Sequence, residues 1–193
     1  YKDIVFADES VCNDSGEFLV EFNMPDKFDE NYDATGSYTV FVASEGFEKI
    51  STSLEYVSLK TQKELLETIN GKKSETEIKA LLLDNSNKNT LESMGINIAG
   101  YKKYTELQDD IAQSIFNSKP YATISSFEAE YNDALAVALI NNATNVNELS
   151  AELKNGGYLD FTVDGIDISK NEDTYSFVLN YLLNHKKYNT VSD

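Results

Sequence analysis

The sequence contains no arginine, no tryptophan, one histidine and one cysteine. All sixteen of its basic side chains are lysines, against 33 aspartates and glutamates, so the formal net charge is −17. Such a surface repels a phosphate backbone and an anionic bilayer, which argues against nucleic acid and anionic membrane as partners. Without arginine the chain also lacks the planar fork that binds carboxylates and phosphates through paired hydrogen bonds.

Long hydrophobic runs are missing as well. No apolar stretch approaches the roughly 18 residues of a membrane-spanning helix, so no membrane insertion is predicted. The N-terminus has no charged-then-apolar leader. With Cys12 alone, the chain forms no internal disulfide, which fits a reducing compartment and a disulfide-free bacterial surface protein equally well. Because the first residue is Tyr1, we expect a fragment or a processed product.

The residues that are present predict a folded chain whose first part, 1–58, favours strands. A hydrophobic share of 41% exceeds that of a disordered acidic chain. Strands are predicted at 4–6, 18–22, 37–42 and 47–57, with turns at 14–16 and 45–46. Four strands are fewer than the roughly seven of an immunoglobulin-like sandwich. Either the sheet is small and packs against the neighbouring part of the chain, or earlier strands lie upstream of Tyr1.

The second part, 59–193, favours helices. Four capping boxes pair a small polar residue with a glutamate three positions later: Thr61/Glu64, Ser74/Glu77, Ser125/Glu128 and Asn145/Glu148. Three apolar stripes follow at helical spacing: Phe127, Tyr131, Leu135, Ala138 and Leu139; Tyr104, Leu107, Ile111 and Ile115; and Tyr175, Val178, Leu179 and Leu182. Val137 and Ile140 lie off the first stripe, so the 125–141 helix is predicted to be central and to pack on two sides.

An internal repeat of about 70 residues is the strongest pattern in the chain. A shift of 71 overlays residues 69–84 on 140–155, with Ile69, Asn70, Glu77, Ala80 and Leu82 meeting identical residues. After small gaps, 95–98 meets 165–168, and Asn117, Lys119, Tyr121, Thr123 and Ser125 meet identical residues at 184–192. The predicted copies span about 63–124 and 125–193, as one compact bundle or two stacked ones. Because Ser192 matches Ser125, we expect the chain to stop where a further helix would begin.

Candidate chemical groups are few, and each has a structural alternative. His185 is predicted to end a helix, where a cation suits the dipole, and no nucleophile or metal set accompanies it. Cys12 is predicted to be a small buried or half-buried residue, with no second cysteine or histidine beside it. We therefore predict no catalytic residue and no enzyme, and neither a cofactor nor a metal is assigned.

Two acidic stretches raise the question of calcium. The first is the loop of Asp26, Asp29, Glu30 and Asp33, for which a solvated loop is favoured over a Ca²⁺ site. The second contains Asp164, Gly165, Ile166 and Asp167, followed by Asn171, Glu172 and Asp173. Its order of oxygen ligands does not fit an EF-hand. The matching 93–97 of the first copy keeps the glycine and both isoleucines but lacks the acids, so a turn glycine and two core isoleucines are predicted instead.

Two segments carry a resemblance to known proteins. The first segment runs from Asp14 to Pro25, with Phe18 and Phe22 in it, and is followed by 36–40. It resembles the later strands of bacterial immunoglobulin-like or fibronectin-like modules. The stretch 140–143 with its capped helix is similar to tandem helical segments in modular surface proteins of Gram-positive, clostridial-type bacteria. The first copy departs from this pattern, with Asn70-Gly71-Lys72 in place of Asn141-Asn142-Ala143. The resemblance implies export and cell-wall attachment, and it implies no active-site residue.

These observations predict an α+β multidomain chain, in which a small antiparallel β-sandwich-like unit (1–58) leads into an all-α bundle (59–193) with an internal repeat. The expected function is a non-catalytic spacer, display or adhesion region of a large exported surface protein, located outside the cell. Its expected partners are the neighbouring domains of the same polypeptide and, beyond these, a polysaccharide or protein of the cell wall or host. The alternative is an accessory carbohydrate-binding module of a surface polysaccharide-processing enzyme.

Overall fold

The computed structural model describes residues 9–46, 48–156, 161–163 and 165–190. The chain divides into two compact units, Tyr1–Thr61 and Gln62–Asp193. Its class is mixed: a hairpin forms the sheet of the first unit, and helices make up most of the second. A mixture of helix and antiparallel sheet is therefore confirmed at the level of fold class.

The sheet of the first unit is a hairpin of β1 (Gly36–Val42) and β2 (Ile50–Tyr56). The strands are antiparallel, with Gly36 opposite Tyr56 and Val42 opposite Ile50. Gly46 in the connection has φ +83°, a conformation that glycine adopts without a Cβ penalty. Two predicted strands and the turn between them are thus confirmed, although β2 begins three residues later than expected and Phe47 lies outside the described residues.

A β-sandwich is not present among the described residues of the first unit. The predicted strand 18–22 is wrong, since these residues form no ladder, and the predicted strand 4–6 lies outside the described residues. Phe18 and Phe22 are 46% and 39% exposed. Their period-two spacing indicates an extended segment with one apolar face, but no second sheet covers that face. After Met24, the residues Pro25–Lys27 form a 3₁₀ turn.

Eight α-helices lie among the described residues, the first of them crossing the boundary between the units. They are α1 (Leu59–Gly71), α2 (Glu75–Leu83), α3 (Lys88–Ser93), α4 (Ile98–Lys103), α5 (Gln108–Ser118), α6 (Ile124–Asn142), α7 (Val146–Gly156) and α8 (Glu172–Asn184). Between α7 and α8, β3 (Thr162–Val163) pairs antiparallel with β4 (Ile166–Asp167). In the second unit α2 packs on α5, α5 on α6, and α7 on α8.

Helix α6 is central to the core, as its two-sided pattern predicts. All five residues of its predicted stripe are buried, and Ile140 on the other side is only 5% exposed. α6 packs against α5, α7 and α8. Val137, the other residue off the stripe, is half-buried.

Two of the four predicted helix caps are confirmed. The Ser74 hydroxyl accepts from the Glu77 amide at 3.3 Å, and the Asn145 side-chain oxygen accepts from the Glu148 amide at 2.9 Å. The glutamates of these boxes bond one residue earlier than the reciprocal pattern requires. Glu77 accepts from the amide of Lys73, and Glu148 from the hydroxyl of Thr144.

The other two predicted caps are wrong. α1 begins two residues before Thr61, and its first turn is capped by Ser58, whose hydroxyl accepts from the Thr61 amide at 3.3 Å. α6 begins at Ile124 after the cap Thr123, which forms a full capping box with Ser126 in place of the predicted Ser125.

The predicted glycine turns are confirmed, but one of the predicted core isoleucines is wrong. Gly95 and Gly165 have φ +85° and +78°. Ile96 and Ile98 are each 1% exposed, whereas Ile166 is 68% exposed. Ile166 lies in β4, which pairs with β3, and no other described residue buries its side chain; Ile168, the fourth predicted core isoleucine, is half-buried.

Candidate functional site

The acidic loop of the first unit uses Asp26 to fix the start of α1. The Asp26 side chain is only 4% exposed. Its carboxylate accepts from the Tyr56 hydroxyl at 2.9 and 3.0 Å and from the Leu59 amide at 2.9 Å. Burial, then the bond to Asp26, raises the pKa of Tyr56 to about 12, so this phenol remains a donor across the physiological range. Asp26 therefore joins the 3₁₀ turn, the end of β2 and the first turn of α1.

Asp33 is the acceptor of a hydroxyl cluster at the same helix start. Its carboxylate accepts from the amide of Thr35 at 3.0 Å and from the hydroxyls of Ser58 and Thr61 at 2.9 and 3.2 Å. The Thr35 hydroxyl in turn accepts from the Ser58 amide at 3.0 Å. The backbone and hydroxyl bonds of Thr35, followed by those of Ser58 and Thr61, lower the pKa of Asp33 to about 2. A carboxylate with this pKa is a weak general base at neutral pH.

The four acids of this loop do not converge on one point. The Asp29 carboxylate accepts from the Asn31 amide at 3.0 Å in a local turn, and the side chains of Asp29 and Glu30 are exposed. Within the residues that the structure describes, no three His, Cys, Asp or Glu side chains are grouped so that they could hold a metal ion. Asp26 and Asp33 instead satisfy donors at the N-terminal end of α1.

Cys12 is exposed, which corrects the prediction of a buried or half-buried residue. It precedes the predicted turn, in which the Asn13 side chain accepts from the amides of Ser15 and Glu17 at 3.0 and 2.9 Å. That turn closes on itself through local bonds and projects its neighbours into solvent. A sequence alone does not reveal this, because cysteine is most often buried.

His185 lies where the sequence predicts it, at the C-terminal cap of α8. Its Nδ1 lies 2.8 Å from the carbonyl oxygen of Tyr181 and therefore carries the proton of that bond. The imidazole stacks on the Tyr181 ring with 4.0 Å between centroids. These contacts end the helix and cover one face of an exposed tyrosine.

The second acidic stretch also serves helix ends. The Asp167 carboxylate accepts from the amide and the hydroxyl of Ser169 at 3.0 and 2.6 Å, and Lys170 lies 3.3 Å from it. The Asn171 side chain caps α8 by accepting from the Thr174 amide at 3.0 Å. Asp164 lies outside the described residues. The oxygens considered for calcium at Asp167 and Asn171 are therefore engaged as caps.

A pair of asparagine clasps is the main constellation that the sequence analysis did not single out. At the end of α1, the Asn70 side chain donates to the Tyr121 carbonyl at 2.9 Å and accepts from the Tyr121 amide at 2.8 Å. At the end of α6, Asn141 makes the same pair of bonds with Tyr188, at 2.8 and 3.1 Å. Each amide side chain thereby takes the place of a strand partner, for the segment that follows α5 in one case and for the segment that follows α8 in the other. We call these two arrangements the asparagine clasps.

Further bonds accompany each clasp in the same way. The hydroxyl of Tyr121 donates to the Ile115 carbonyl at 2.7 Å, and that of Tyr188 donates to the Leu182 carbonyl at 3.3 Å, each six residues back. The ammonium of Lys119 donates to the carbonyls of Asn70 and Lys72, and the ammonium of Lys186 donates to that of Ala143. The identical residues in the repeat alignment signalled these positions, but they did not reveal that the residues meet.

A separate polar contact links the α4 end to α7. Glu152 accepts from Lys103 at 2.7 Å and also from the Tyr104 hydroxyl. These two bonds, that of Lys103 being the larger effect, lower the pKa of Glu152, and the side chain is 28% exposed. The pair therefore stays charged at neutral pH and connects the end of α4 with α7.

Comparison with known proteins adds no relative: no protein-family model matches the chain, and no curated protein or solved structure is significantly similar to it. Among the helices described, none combines the length and apolar character needed to cross a bilayer.

Proposed function

We propose that the second unit consists of two copies of one helical repeat and that the chain is a non-catalytic structural region, a spacer or display module, of a large exported bacterial surface protein. The asparagine clasps carry the repeat, whereas the surface location rests on the resemblance of 14–25, 36–40 and 140–143 to modules of bacterial surface proteins. Asn70 and Asn141 are 71 positions apart, Tyr121 and Tyr188 are 67 apart, and both pairs make the same two bonds. Two identical long-range contacts at matching positions are best explained by duplication of one unit.

Matching helices support the same proposal. α2 and α7 correspond, since both follow a capping side chain at the aligned positions Ser74 and Asn145. Their aligned apolar residues are equally buried: Ile78 and Leu149 at 1%, and Leu82 and Leu153 at 1%. α5 and α8 correspond through Ala112 and Leu179, at 1% and 0% exposure. The alignment thus relates α1, α2 and α5 to α6, α7 and α8.

The chemistry of the recurring positions favours a structural role. Many of the residues that recur between the copies make caps, clasps or core contacts, which fix geometry, although the aligned Ala80 and Ala151 are exposed. Helical repeats of this kind stack against their neighbours, so they form stiff modules whose length grows with repeat number. A stiff module suits spacing or display of neighbouring domains.

Removal of the clasps tests the repeat. Asn70→Ala leaves the amide and carbonyl of the buried Tyr121 without their partner, so we expect a loss of about 1–3 kcal/mol in the free energy of unfolding. Asn141→Ala is expected to act in the same direction but less, because Tyr188 is only half-buried. The measurement is urea unfolding followed by circular dichroism.

Asn142→Ala is the matched control, since Asn142 makes one local bond, to the Ala138 carbonyl at 2.9 Å. It is expected to change stability by no more than about 0.5 kcal/mol. If only one of the two clasps costs more than this control, the copies are not equivalent and the repeat proposal fails.

The accessory carbohydrate-binding module stays the alternative, and one observation favours it. Phe177 and Tyr181 on α8 are 72% and 55% exposed, and aromatic rings of this kind stack on sugars. A glycan array with the whole chain decides between the two. Reproducible binding to one polysaccharide class that is lost in Tyr181→Ala would replace the spacer proposal, whereas no binding supports it.

Recovery of the chain by protease treatment of intact source cells tests the surface location, and recovery from the cytosol alone contradicts it.

A further inference from the structure

The outward face of α8 is less fully covered than that of its counterpart α5. On α8, Val178 and Leu182 are half-buried and Tyr181 is 55% exposed. On α5, the aligned residues 67 positions earlier are Ile111, Ser114 and Ile115. Both isoleucines there are 0% exposed. The two helices thus carry apolar residues at matching positions but bury them to different extents.

α6 accounts for this difference. It packs on α5, and the Ser114 hydroxyl donates to the Glu130 carboxylate of α6 at 3.0 Å. At the other end of the contact, the Phe127 ring of α6 lies edge-on to Tyr121, with 5.3 Å between centroids. In terms of the proposed repeat, the first helix of the second copy, α6, covers the last helix of the first copy, α5. No helix among the described residues does the same for α8.

The opposite end of the repeat pair is built differently. α1 aligns with α6, but polar residues occupy the positions that α6 buries. Tyr131, Leu135 and Ala138 of α6 are at most 3% exposed. The aligned residues of α1 are Lys60, Glu64 and Glu67, and the two glutamates are exposed. A polar outer face of this kind is what a terminal repeat needs in order to end an array in water.

We propose that the face of α8 formed by Val178, Tyr181 and Leu182 is a docking surface for an α6-type helix of another repeat unit, so that the array extends at α8 and ends at α1. This inference rests on the proposed repeat. The expected occupant is an amphipathic helix with aromatic and small apolar residues at the positions of Phe127, Tyr131 and Ala138. It would continue the interface that α5 and α6 already make.

The test extends the full chain by one unit in register. Thr190 aligns with the cap Thr123, so a copy of residues 124–190 is attached directly after Thr190, in place of 191–193. Amide hydrogen exchange in α8 is then compared between the original and the extended chain. We expect exchange of the α8 amides to slow by about tenfold or more in the extended chain, because a covered helix opens less often.

A matched control gives the attached copy the residues of α1. The substitutions Tyr131→Lys, Leu135→Glu and Ala138→Glu are made in the attached copy alone. Protection of α8 by the apolar copy and its loss with the polar copy support the proposal. Equal exchange of α8 in all three chains, or equal protection by both copies, overturns it.

Sedimentation of the original chain tests the competing occupant, a second copy of the same chain. We expect a monomer, because the α6 helix of a second copy is already packed on its own α5, and α1 presents exposed glutamates at the aligned positions. A dimer that dissociates in Val178→Lys would assign the surface to self-association and overturn the proposal. If the exchange or sedimentation test fails while Asn70→Ala and Asn141→Ala both cost more than their control, the docking surface alone is refuted. If only one of these two variants costs more than the control, the repeat itself is refuted.

Discussion

At the scale of single residues, the carboxylates at the start of α1 act as acceptors for backbone and hydroxyl donors. Asp33 shows the consequence most clearly. Its folded pKa of about 2 lies below the ordinary value of 3.8. The folded state therefore favours the deprotonated carboxylate over the protonated one. The resulting stabilisation is complete above about pH 4 and is lost as the pH falls towards 2.

We therefore predict that the side-chain ¹³C signal of Asp33 titrates near pH 2 in the folded chain. Thr35→Val removes a hydroxyl donor but keeps the stronger backbone bond, so it is expected to move the midpoint part of the way back to 3.8. Asp33→Asn identifies the signal by its disappearance. A midpoint at the ordinary value in the unmodified chain would show that the hydroxyl cluster does not form.

At the scale of elements, the sequence predicts helix starts well where the determining contacts are local. Ser74 and Asn145 cap α2 and α7 through residues three positions away, a spacing that can be read directly. α1 and α6 begin earlier than predicted, at the caps Ser58 and Thr123, which are local as well. Bonds from distant residues accompany these earlier starts and distinguish them from the predicted ones. The Asp26 carboxylate, 33 positions away, accepts from Leu59, and Asn70 holds Tyr121 just before α6. Such bonds leave no local pattern.

The same limit explains the strands. Alternating residues in 37–42 predict a strand correctly, because β2 follows within the same hairpin. An equally regular alternation in 18–22 predicts a strand that does not form. Alternation shows which residues share a face, but it does not show whether another sheet covers that face. The asparagine clasps belong with the unpredicted features, since identical residues in the proposed repeat alignment do not reveal which of them meet.

Substitution of Thr123 and of Ser125 distinguishes the helix start observed for α6 from the start that the sequence pattern predicts. Thr123→Ala removes the hydroxyl that accepts from the Ser126 amide, and a loss of about 1 kcal/mol is expected in the free energy of unfolding. Ser125→Ala is the control, because Ser125 is exposed within the first turn, and a change within about 0.5 kcal/mol is expected. A larger loss from Ser125→Ala, measured by urea unfolding, would favour the helix start predicted from sequence.

At the scale of the whole molecule, the net charge of −17 acts mainly against the folded state. The acids outnumber the lysines by about two to one, so ion pairs such as Lys79–Asp109, at 2.8 Å, engage only part of them. Most of the other carboxylates in the described residues are exposed, where they keep the surface solvated and repel one another. Stabilisation by the caps and the apolar core therefore has to exceed this repulsion.

We predict that added salt stabilises this chain. Raising NaCl from about 10 mM to about 0.3 M shortens the screening length from roughly 30 Å to below 10 Å, so repulsion between distant carboxylates weakens more than contacts at 3 Å. The melting temperature is expected to rise by a few degrees.

CaCl₂ and MgCl₂ at matched ionic strength are the control for the acidic loop. Because a cation that binds only the folded state raises its stability, equal shifts with both ions are expected if Asp26 and Asp33 serve only as hydrogen-bond acceptors. A larger shift with calcium, reversed by a chelator and absent in Asp33→Asn, would establish a metal site there, and a melting temperature that falls with salt would mean that attractive pairs outweigh the repulsion.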